Sequence, residues 1–186
     1  MSSDKIWLFD TTLRDGGQTR GVDFSRADKV AIANALDDIG IDYIEAGWPG
    51  ANPTDDAFFA APPKFKNAKL VSFGMTRRGG RSAANDPGLN AVIGADVDAA
   101  CLVGKTWDFH VKTALNTSLD ENLKMIHQSL NAAKERGREP MFDCEHFFDG
   151  YKNNSNFALD CIRAATEGGA NWVVLCDTNG GTLPDE

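Results

Sequence analysis

The sequence predicts an α/β protein built on a parallel sheet. Short apolar runs alternate with segments of helical periodicity along the chain, which is typical of successive βα units. Each candidate strand is largely apolar and is followed by polar residues or glycine. The candidates are Ile6–Phe9, Asp42–Ala46, Lys69–Phe73, Ala99–Val103, Met141–Cys144 and Trp172–Cys176. Polar groups at the carboxyl ends of such strands indicate where the chemistry of the protein lies.

The helix after the first strand is predicted from its cap and its apolar stripe. Ser25 can cap the first amides, and Gly40 can follow the end of the helix. Its apolar stripe consists of Ile32, Leu36 and Ile39. This spacing places the three side chains on one face of a helix.

The strongest helix signal lies between the fourth and fifth strands. Ser118 and Glu121 have the spacing of a reciprocal capping box, and Gly137 provides a stop. The apolar stripe of this helix consists of Leu119, Leu123, Ile126 and Leu130. The other helical segments are the weak zones Asp55–Ala61 and Pro87–Gly94 and a helix that begins near Asn154 or Ser155.

The number of strands restricts the fold further. A closed (β/α)8 barrel needs eight strands and about 250 residues, whereas this chain of 186 residues supplies about six βα units. The sequence therefore predicts a truncated TIM (β/α)8 barrel, with a six-stranded open sheet as the alternative. A truncated barrel would expose two sheet edges and an apolar face, so a homo-oligomer is expected.

Composition excludes several classes of protein. The net charge of −8 argues against nucleic-acid binding, which requires a basic face. No apolar stretch approaches the roughly 20 residues that span a bilayer, so no membrane association is expected. Residues 1–5 lack a signal-peptide apolar region, which predicts a cytoplasmic protein. The four cysteines show no C-x-x-C spacing and are interpreted as reduced core thiols.

The first candidate site follows the apolar run Ile6–Phe9, which is expected to be a buried strand. Arg14 and Asp15 come shortly after it. A carboxylate at a strand end can bind a hard divalent cation, and an adjacent arginine can clamp a carboxylate or stabilise an enolate. The alternative is a structural ion pair that pins the loop.

Glutamates at two further strand ends are expected at the same mouth. Glu45 is at the end of the second strand, although a buried glutamate satisfied by backbone amides is an equal alternative. Glu145 ends the fifth strand and is a candidate acid–base group or water positioner. Asp143 shares its strand face and is interpreted as structural. His146 is expected at the surface or behind the site rather than as a metal ligand.

The sixth and fourth strands add two more candidates. Thr178 can donate to a substrate carboxylate, unless its segment is only an Asx-type turn. Lys105 does not belong to a phosphate-binding loop, because Ala99 stands where that motif requires glycine. A Schiff-base role for Lys105 remains an alternative. His110 could contact substrate, although an ordinary loop histidine is the safer interpretation.

These residues resemble the DRE-TIM metallolyase superfamily, whose opening signature is D-T-T-L-R-D-G-x-Q. The later blocks look most like the citramalate synthases, which are related to the 2-isopropylmalate and homocitrate synthases. The resemblance covers essentially the whole chain. Its blocks are Asp10–Gln18, Ile44–Pro53, Gly104–Asp108, Glu145–Lys152 and Leu175–Pro184.

The resemblance implies a transferase that condenses acetyl-CoA with a 2-oxo acid, expected to be pyruvate, with a divalent metal ion (Mg, Mn or Zn). Asp15 would be a metal ligand, and Arg14 would hold the keto acid and the developing enolate charge. Glu145 would be the acid–base residue. Glu45 and Thr178 would bind substrate. Residues 1–186 would be the N-terminal part of the catalytic barrel domain, without the remaining strands and the regulatory domain.

The superfamily pattern also includes an H-x-H block and a later asparagine, which we expect beyond Glu186. The fragment is therefore expected to bind metal poorly and to lack synthase activity by itself. Two alternatives remain at this point. One is a lyase or carboxyltransferase of the same superfamily, and the other is a non-catalytic oligomeric half-barrel.

Overall fold

The computed structural model describes residues 5–186, so residues 1–4, part of the segment interpreted as lacking a signal peptide, lie outside the described residues. The described chain forms two compact units. The first unit comprises the residues up to Phe73 together with Gly94–Ala99. The second unit comprises Gly74–Ile93 and Ala100–Glu186.

The strands are β1 Phe9–Asp10, β2 Tyr43–Gly47, β3 Lys69–Met75, β4 Ala99–Lys105, β5 Glu139–Glu145 and β6 Trp172–Leu175. In the first unit β1 pairs in parallel with β2, and β2 pairs in parallel with β3. In the second unit β5 pairs in parallel with β6. The prediction of a parallel α/β arrangement is confirmed.

The first strand differs from its prediction. Only Phe9–Asp10 is strand, and the preceding apolar residues are exposed, with Ile6 82% accessible. Within the described residues β1 has β2 as its single neighbour, so its other edge has no strand to cover it. The aromatic rings of Trp7 and Phe9 instead contact the ring of Tyr43, at centroid distances of 5.9 and 6.0 Å. The expected buried strand Ile6–Phe9 was therefore wrong in both bounds and burial.

The helices are α1 Arg26–Asp38, α2 Pro53–Ala60, α3 Pro87–Gly94, α4 Asp108–Thr113, α5 Leu119–Glu135 and α6 Phe147–Glu167. Ser25 caps α1 in a reciprocal capping box with Asp28, which confirms the predicted start. Ile39 follows the last helical residue and is exposed, so it does not extend the apolar stripe. The short helix α4 was not predicted.

The start of α5 is half as predicted. Ser118 Oγ accepts the Glu121 backbone N–H at 3.1 Å, as expected of a cap. The Glu121 carboxylate does not return to the cap, because it accepts from Nη1 of buried Arg77 at 2.7 Å. A guanidinium is the stronger partner for a carboxylate. Gly137 then ends the helix region with a φ of +73°, as the sequence indicated.

Helix α6 begins at Phe147 and breaks at Asn154, whose φ and ψ are −149° and 79°. Asn154 Oδ1 accepts the Phe157 backbone N–H at 3.2 Å, so Asn154 caps the second half of the helix. The predicted start near Asn154 or Ser155 is therefore the start of that second half. The first half, directly after β5, was missed.

Each unit has its own apolar interior. In the first unit, α1 packs against α2 and β2, and the buried cluster includes Leu13, Ile44, Ala46, Phe58 and Leu70. In the second unit, α5 packs against α6 and β5, and the largest buried side chains include Leu102, Ile126, Leu130, Met141 and Phe142. These interiors fix the strands whose ends carry the candidate site residues.

The four cysteines are free, as predicted, and three of them are buried. Burial raises the pKa of the Cys144 and Cys161 thiols far above its usual range, so both are inert neutral side chains. At β6, Val174 and Leu175 are exposed, like the residues at β1. Among residues 5–186, no helix is long and apolar enough to span a membrane.

Candidate functional site

The first unit holds a buried ion pair, which we call the Arg14 cluster (Arg14, Asp15 and Glu45). Arg14 Nε donates to Glu45 Oε1 at 2.6 Å, and Arg14 Nη1 donates to Asp15 Oδ1 at 3.0 Å. Glu45 lies on β2 and is fully buried. The structure thus brings together three of the predicted site residues.

The turn after β1 positions Arg14 and Asp15. The Thr11 carbonyl accepts the backbone N–H groups of Arg14, Asp15 and Gly16, at 3.1, 2.9 and 3.1 Å. Three bonds on one carbonyl make this turn tight. The side chains of Arg14 and Asp15 therefore extend from a backbone that is held in place directly after the strand.

Aromatic rings support the arginine. Arg14 Cζ lies 3.9 Å from the centroid of the Phe73 ring, a cation–π distance. Phe73 in turn meets the edge of Trp48 at a centroid distance of 5.6 Å. A guanidinium that stacks on a buried ring and pairs with a buried carboxylate has little freedom to move.

A second buried ion pair fixes the loop that carries Trp48. Lys29 pairs with Asp55, and Asp55 Oδ2 accepts the Trp48 backbone N–H at 2.8 Å. Gly47 has a φ of +152°, and a Cβ there would lie 2.6 Å from Asp55 Cγ. Only glycine permits this approach.

A cavity of about 390 Å³ adjoins the Arg14 cluster within the first unit. Its walls combine charged, amide and aromatic side chains, including Arg14, Phe24, Lys29, Trp48, Asn52 and Asp55. A cavity of this size accepts a small molecule.

The Asp15 side chain is 62% exposed, so its carboxylate is accessible to a ligand. One of its oxygens already accepts from Arg14. A carboxylate oxygen is a suitable ligand for Mg²⁺, Mn²⁺ or Zn²⁺. The chemistry of Asp15 therefore fits one position of a divalent metal site.

The second unit holds another ion pair, which we call the Lys105 cluster (Lys105 and Glu145). Lys105 Nζ contacts Glu145 Oε2, and the side chains are 18% and 26% exposed. Lys105 ends β4 and Glu145 ends β5. Both residues are candidates in the sequence, but their contact was not predicted. The sequence feature that could have indicated it is that these two charged residues end consecutive strands.

His146 links the ends of β5 and β6. It adopts a left-handed conformation with a φ of +54°, which is uncommon for a residue other than glycine. Its backbone N–H donates to Thr178 Oγ1 at 2.9 Å, and its ring Nδ1 lies 3.2 Å from Asp149 Oδ2. Asn179 Nδ2 donates to the same Asp149 oxygen at 2.8 Å. Glu145 and Thr178 are therefore held by one hydrogen-bonded frame, which the sequence did not reveal.

His110 lies beside this frame. Its ring centroid is 4.7 Å from that of Trp107 and 4.6 Å from that of His146. Burial lowers the pKa of His110, and the charges of His146 and Lys105 lower it further. The imidazole is therefore held neutral, which agrees with a packed aromatic role.

One known family covers the whole described chain. The HMGL-like family model matches residues 5–186. The chain belongs to the HMGL-like family. Its membership confirms the resemblance that the strand-end motifs indicated.

Curated relatives have a more specific function in their names. The (R)-citramalate synthase of Aquifex aeolicus is 53% identical over 186 residues, which is 99% of this chain and 35% of that protein. The (R)-citramalate synthase of Streptomyces coelicolor is 51% identical over 184 residues, 97% of this chain and 34% of that protein. The chain thus spans about a third of the length of these relatives.

Solved structures of hydroxymethylglutaryl-CoA lyases share the fold. The enzyme from Pseudomonas aeruginosa matches with a TM-score of 0.75 at 20% identity, over 96% of this chain and 60% of that chain. The enzyme from Brucella melitensis matches with a TM-score of 0.71 at 19% identity, over 97% and 65%. With the family match, this confirms the predicted TIM-barrel class of α/β fold.

Proposed function

We propose that this chain carries part of the machinery that condenses acetyl-CoA with pyruvate to give citramalate. The observation that carries the proposal is the 53% identity to a citramalate synthase over 99% of the chain. The Arg14 and Lys105 clusters supply the charged groups that such chemistry needs. The fold alone would not distinguish a synthase from a lyase, because one fold can carry different reactions. The lyase structure from Pseudomonas aeruginosa shares the fold with this chain at only 20% sequence identity.

Arg14 is proposed to bind the keto acid and to stabilise negative charge as the new bond forms. Its contacts with Glu45 and Phe73 restrict the guanidinium group, so its positive charge and its N–H donors are oriented before the reaction begins. Glu45 serves as the fixed anionic support of this arrangement. Asp15 would hold a divalent metal ion, which supplies Lewis-acid polarisation of the keto group when bound.

Glu145 is proposed as the acid–base residue. Its carboxylate takes a proton from the acetyl methyl group, and the resulting carbon nucleophile bonds to the keto carbon of pyruvate. The keto oxygen then gains a proton from water and becomes the tertiary hydroxyl group, and Glu145 returns its proton to water. Water cleaves the thioester, which releases citramalate and the thiol of CoA.

Thr178 is proposed to bind the carboxylate of the keto acid. Its Oγ1 accepts the His146 backbone N–H at 2.9 Å, so the hydroxyl hydrogen points to another partner. A substrate carboxylate oxygen fits that role. The hydrogen bond thus sets the direction in which Thr178 donates.

The proposal extends to a cytoplasmic homo-oligomer that binds neither nucleic acid nor membrane. The net charge of −8 supports the exclusion of nucleic acid. The exposed apolar side chains at β1 and at β6 support association with a second copy. The three histidines of residues 1–186 are at positions 110, 127 and 146, so none of them forms the H-x-H pair of the superfamily pattern. Because that pair is expected to complete the metal site, we expect residues 1–186 alone to give no citramalate.

The test is an assay of the complete protein with acetyl-CoA and one of four 2-oxo acids: pyruvate, 2-oxobutyrate, 2-oxoisovalerate or 2-oxoglutarate. We expect thiol release with pyruvate and chromatographic identification of citramalate. Chelation should abolish the activity, and Mg²⁺, Mn²⁺ or Zn²⁺ should restore it. A preference for another oxo acid, or thioester cleavage without condensation, would contradict the proposal.

A variant pair assigns the acid–base role. Glu145→Gln should lower kcat by about 10²–10⁴-fold, because the amide cannot accept the proton. Glu135→Gln is the matched control, since Glu135 is an exposed glutamate of the same unit whose carboxylate accepts from Asn131 Nδ2 at 2.9 Å along α5. It should leave kcat unchanged. Equal effects of the two substitutions would remove Glu145 from the mechanism.

A further inference from the structure

Hydrogen bonds between the ends of β4 and β5 support the contact between Lys105 and Glu145. Thr106, the residue after Lys105, is fully buried. Its Oγ1 donates to the Glu145 carbonyl at 2.7 Å, and its backbone N–H donates to the same carbonyl at 3.3 Å. The ends of β4 and β5 are thus joined both through the backbone of Glu145 and through its carboxylate.

The backbone of Lys105 is also held from behind. Its carbonyl accepts from Asn122 Nδ2 at 2.9 Å and from Cys161 Sγ at 3.7 Å. Asn122 lies on α5 and Cys161 on α6, and both are buried. The backbone of Lys105 is therefore fixed by contacts with two packed helices, and this restricts the direction in which its side chain can extend.

The contact between Lys105 and Glu145 restricts where the carboxylate can point. Opposite charges attract more strongly where water is partly excluded than in bulk water, and these side chains are only 18% and 26% exposed. The contact also engages the Lys105 amine, which a Schiff-base role would need as a free nucleophile. It therefore argues against that alternative.

We propose that Lys105 is a positioning residue that keeps the Glu145 carboxylate oriented for removal of a proton from a carbon acid. The inference rests on the proposed function and deepens it. Lys105 acts through Glu145: its ammonium group attracts the carboxylate, and its fixed backbone keeps that ammonium group in place. The carbon acid that this arrangement suits is the methyl group of an acyl thioester.

Lys112 provides a matched control. Its Nζ lies 3.2 Å from Asp108 Oδ2, so it is also a lysine paired with a carboxylate in the second unit. The Lys112 side chain is 61% exposed, and the pair lies along α4 rather than between strand ends. Replacing it tests the loss of a paired lysine away from the Lys105 cluster.

The experiment measures kcat and KM of the complete protein, together with the exchange of acetyl-CoA methyl protons in D₂O. Lys105→Gln should lower kcat and the exchange rate by about 10²-fold, with KM values changed less than about threefold. Lys105→Arg, which keeps the charge, should recover most of the loss. Lys112→Gln should match the unchanged protein in both measurements.

Several results would overturn the inference. One is a Lys105→Gln enzyme as active as the Lys112→Gln enzyme. Another is a folded Lys105→Arg enzyme no better than the Gln variant. If Lys105→Gln does not fold, a folded Lys105→Arg enzyme whose kcat is about 10²-fold below that of the unchanged protein overturns the inference. If the unchanged protein neither condenses acetyl-CoA with pyruvate nor exchanges methyl protons, the proposed function itself fails, and that outcome is distinct from both.

Discussion

The Arg14 cluster and the Lys105 cluster are both ion pairs at strand ends, but they are built differently. In the first, Glu45 is fully buried, and Arg14 is paired with it and stacked on Phe73. In the second, Lys105 and Glu145 each keep about a fifth to a quarter of their side-chain surface exposed, at 18% and 26%. The two clusters differ in hydration more than in charge.

This difference separates two functions that an ion pair can have. A fully buried carboxylate loses its solvation and depends on its partner, so the Arg14 cluster is a fixed frame. A partly hydrated pair can exchange partners and transfer a proton without leaving a bare charge in the interior. This difference supports the proposed proton transfer at the Lys105 cluster and the proposed binding at the Arg14 cluster.

The largest effect is expected from breaking the buried pair. Arg14→Met would leave the Glu45 charge buried without its guanidinium, and the free energy of unfolding should fall by about 3–5 kcal/mol. Urea denaturation of this chain measures the change. The double variant R14M/E45L removes both charges and should recover much of the loss. A change below about 1 kcal/mol for R14M would show that the pair is not a buried frame.

The next effect concerns a buried carboxylate of the first unit, Asp37. Burial acts to raise the pKa of Asp37, but backbone N–H groups of Lys66, Asn67 and Ala68 and the charge of Lys66 outweigh it, so the pKa lies below its usual range. Because the folded pKa is lowered, this stabilisation is complete at neutral pH and is lost as the pH falls through that pKa. Asp37→Ala should lower the free energy of unfolding by about 2–3 kcal/mol at pH 7. The difference, measured by urea denaturation at each pH, should shrink in acid.

Asp86 gives the corresponding comparison in the second unit. It is buried and accepts the backbone N–H groups of Arg78 and Leu89 at 2.8 and 3.0 Å. Here too the N–H groups outweigh burial and lower the pKa. Asp86→Ala should show the same loss in acid. A penalty for either variant that does not change with pH would contradict this explanation.

A further substitution tests how tightly α6 packs against the chain that follows β4 in the second unit. A Cβ at Gly150 would lie 2.4 Å from the Thr106 carbonyl oxygen and 2.9 Å from Trp107 Cα. Both are backbone atoms just after β4, so Gly150→Ala should destabilise the chain by about 1–3 kcal/mol. Gly181→Ala is the control, since a Cβ there would have open space around it out to 4 Å. Thermal unfolding followed by circular dichroism compares them.

The smallest effect is expected from breaking the hydrated pair. Lys105→Gln should change the free energy of unfolding by about 1 kcal/mol or less, because both side chains remain partly solvated. The contrast with Arg14→Met is the point of the measurement. Equal losses in urea denaturation would mean that the two clusters are not different kinds of ion pair.

The sequence predicted local features well where neighbouring residues decide them. The Ser25 and Ser118 caps and the Gly137 stop are as expected, because each depends on contacts within one helix turn. The prediction weakened where a distant residue competed. Glu121 had the spacing to complete a capping box, but Arg77 binds its carboxylate instead.

The candidate site shows the same division. Five residues were selected from the sequence because each follows or ends an apolar run. They are Arg14, Asp15, Glu45, Glu145 and Thr178. The contact of Arg14 with Glu45 could not be derived, because it depends on which strands are neighbours. The hydrogen bonds that join His146 to Asp149 and Thr178 were missed for the same reason. They also depend on the left-handed backbone conformation of His146, which no sequence pattern predicts.

The amino-acid order by itself determined the succession of strands and helices, the caps and the charged residues at the strand ends, since these follow from periodicity and short-range hydrogen bonding. Only the tertiary structure decided that Glu45 is buried with Arg14, that Lys105 meets Glu145, and that the Ile6–Phe9 run is exposed. Burial and pairing depend on which distant segments pack together, and that is a property of the folded chain.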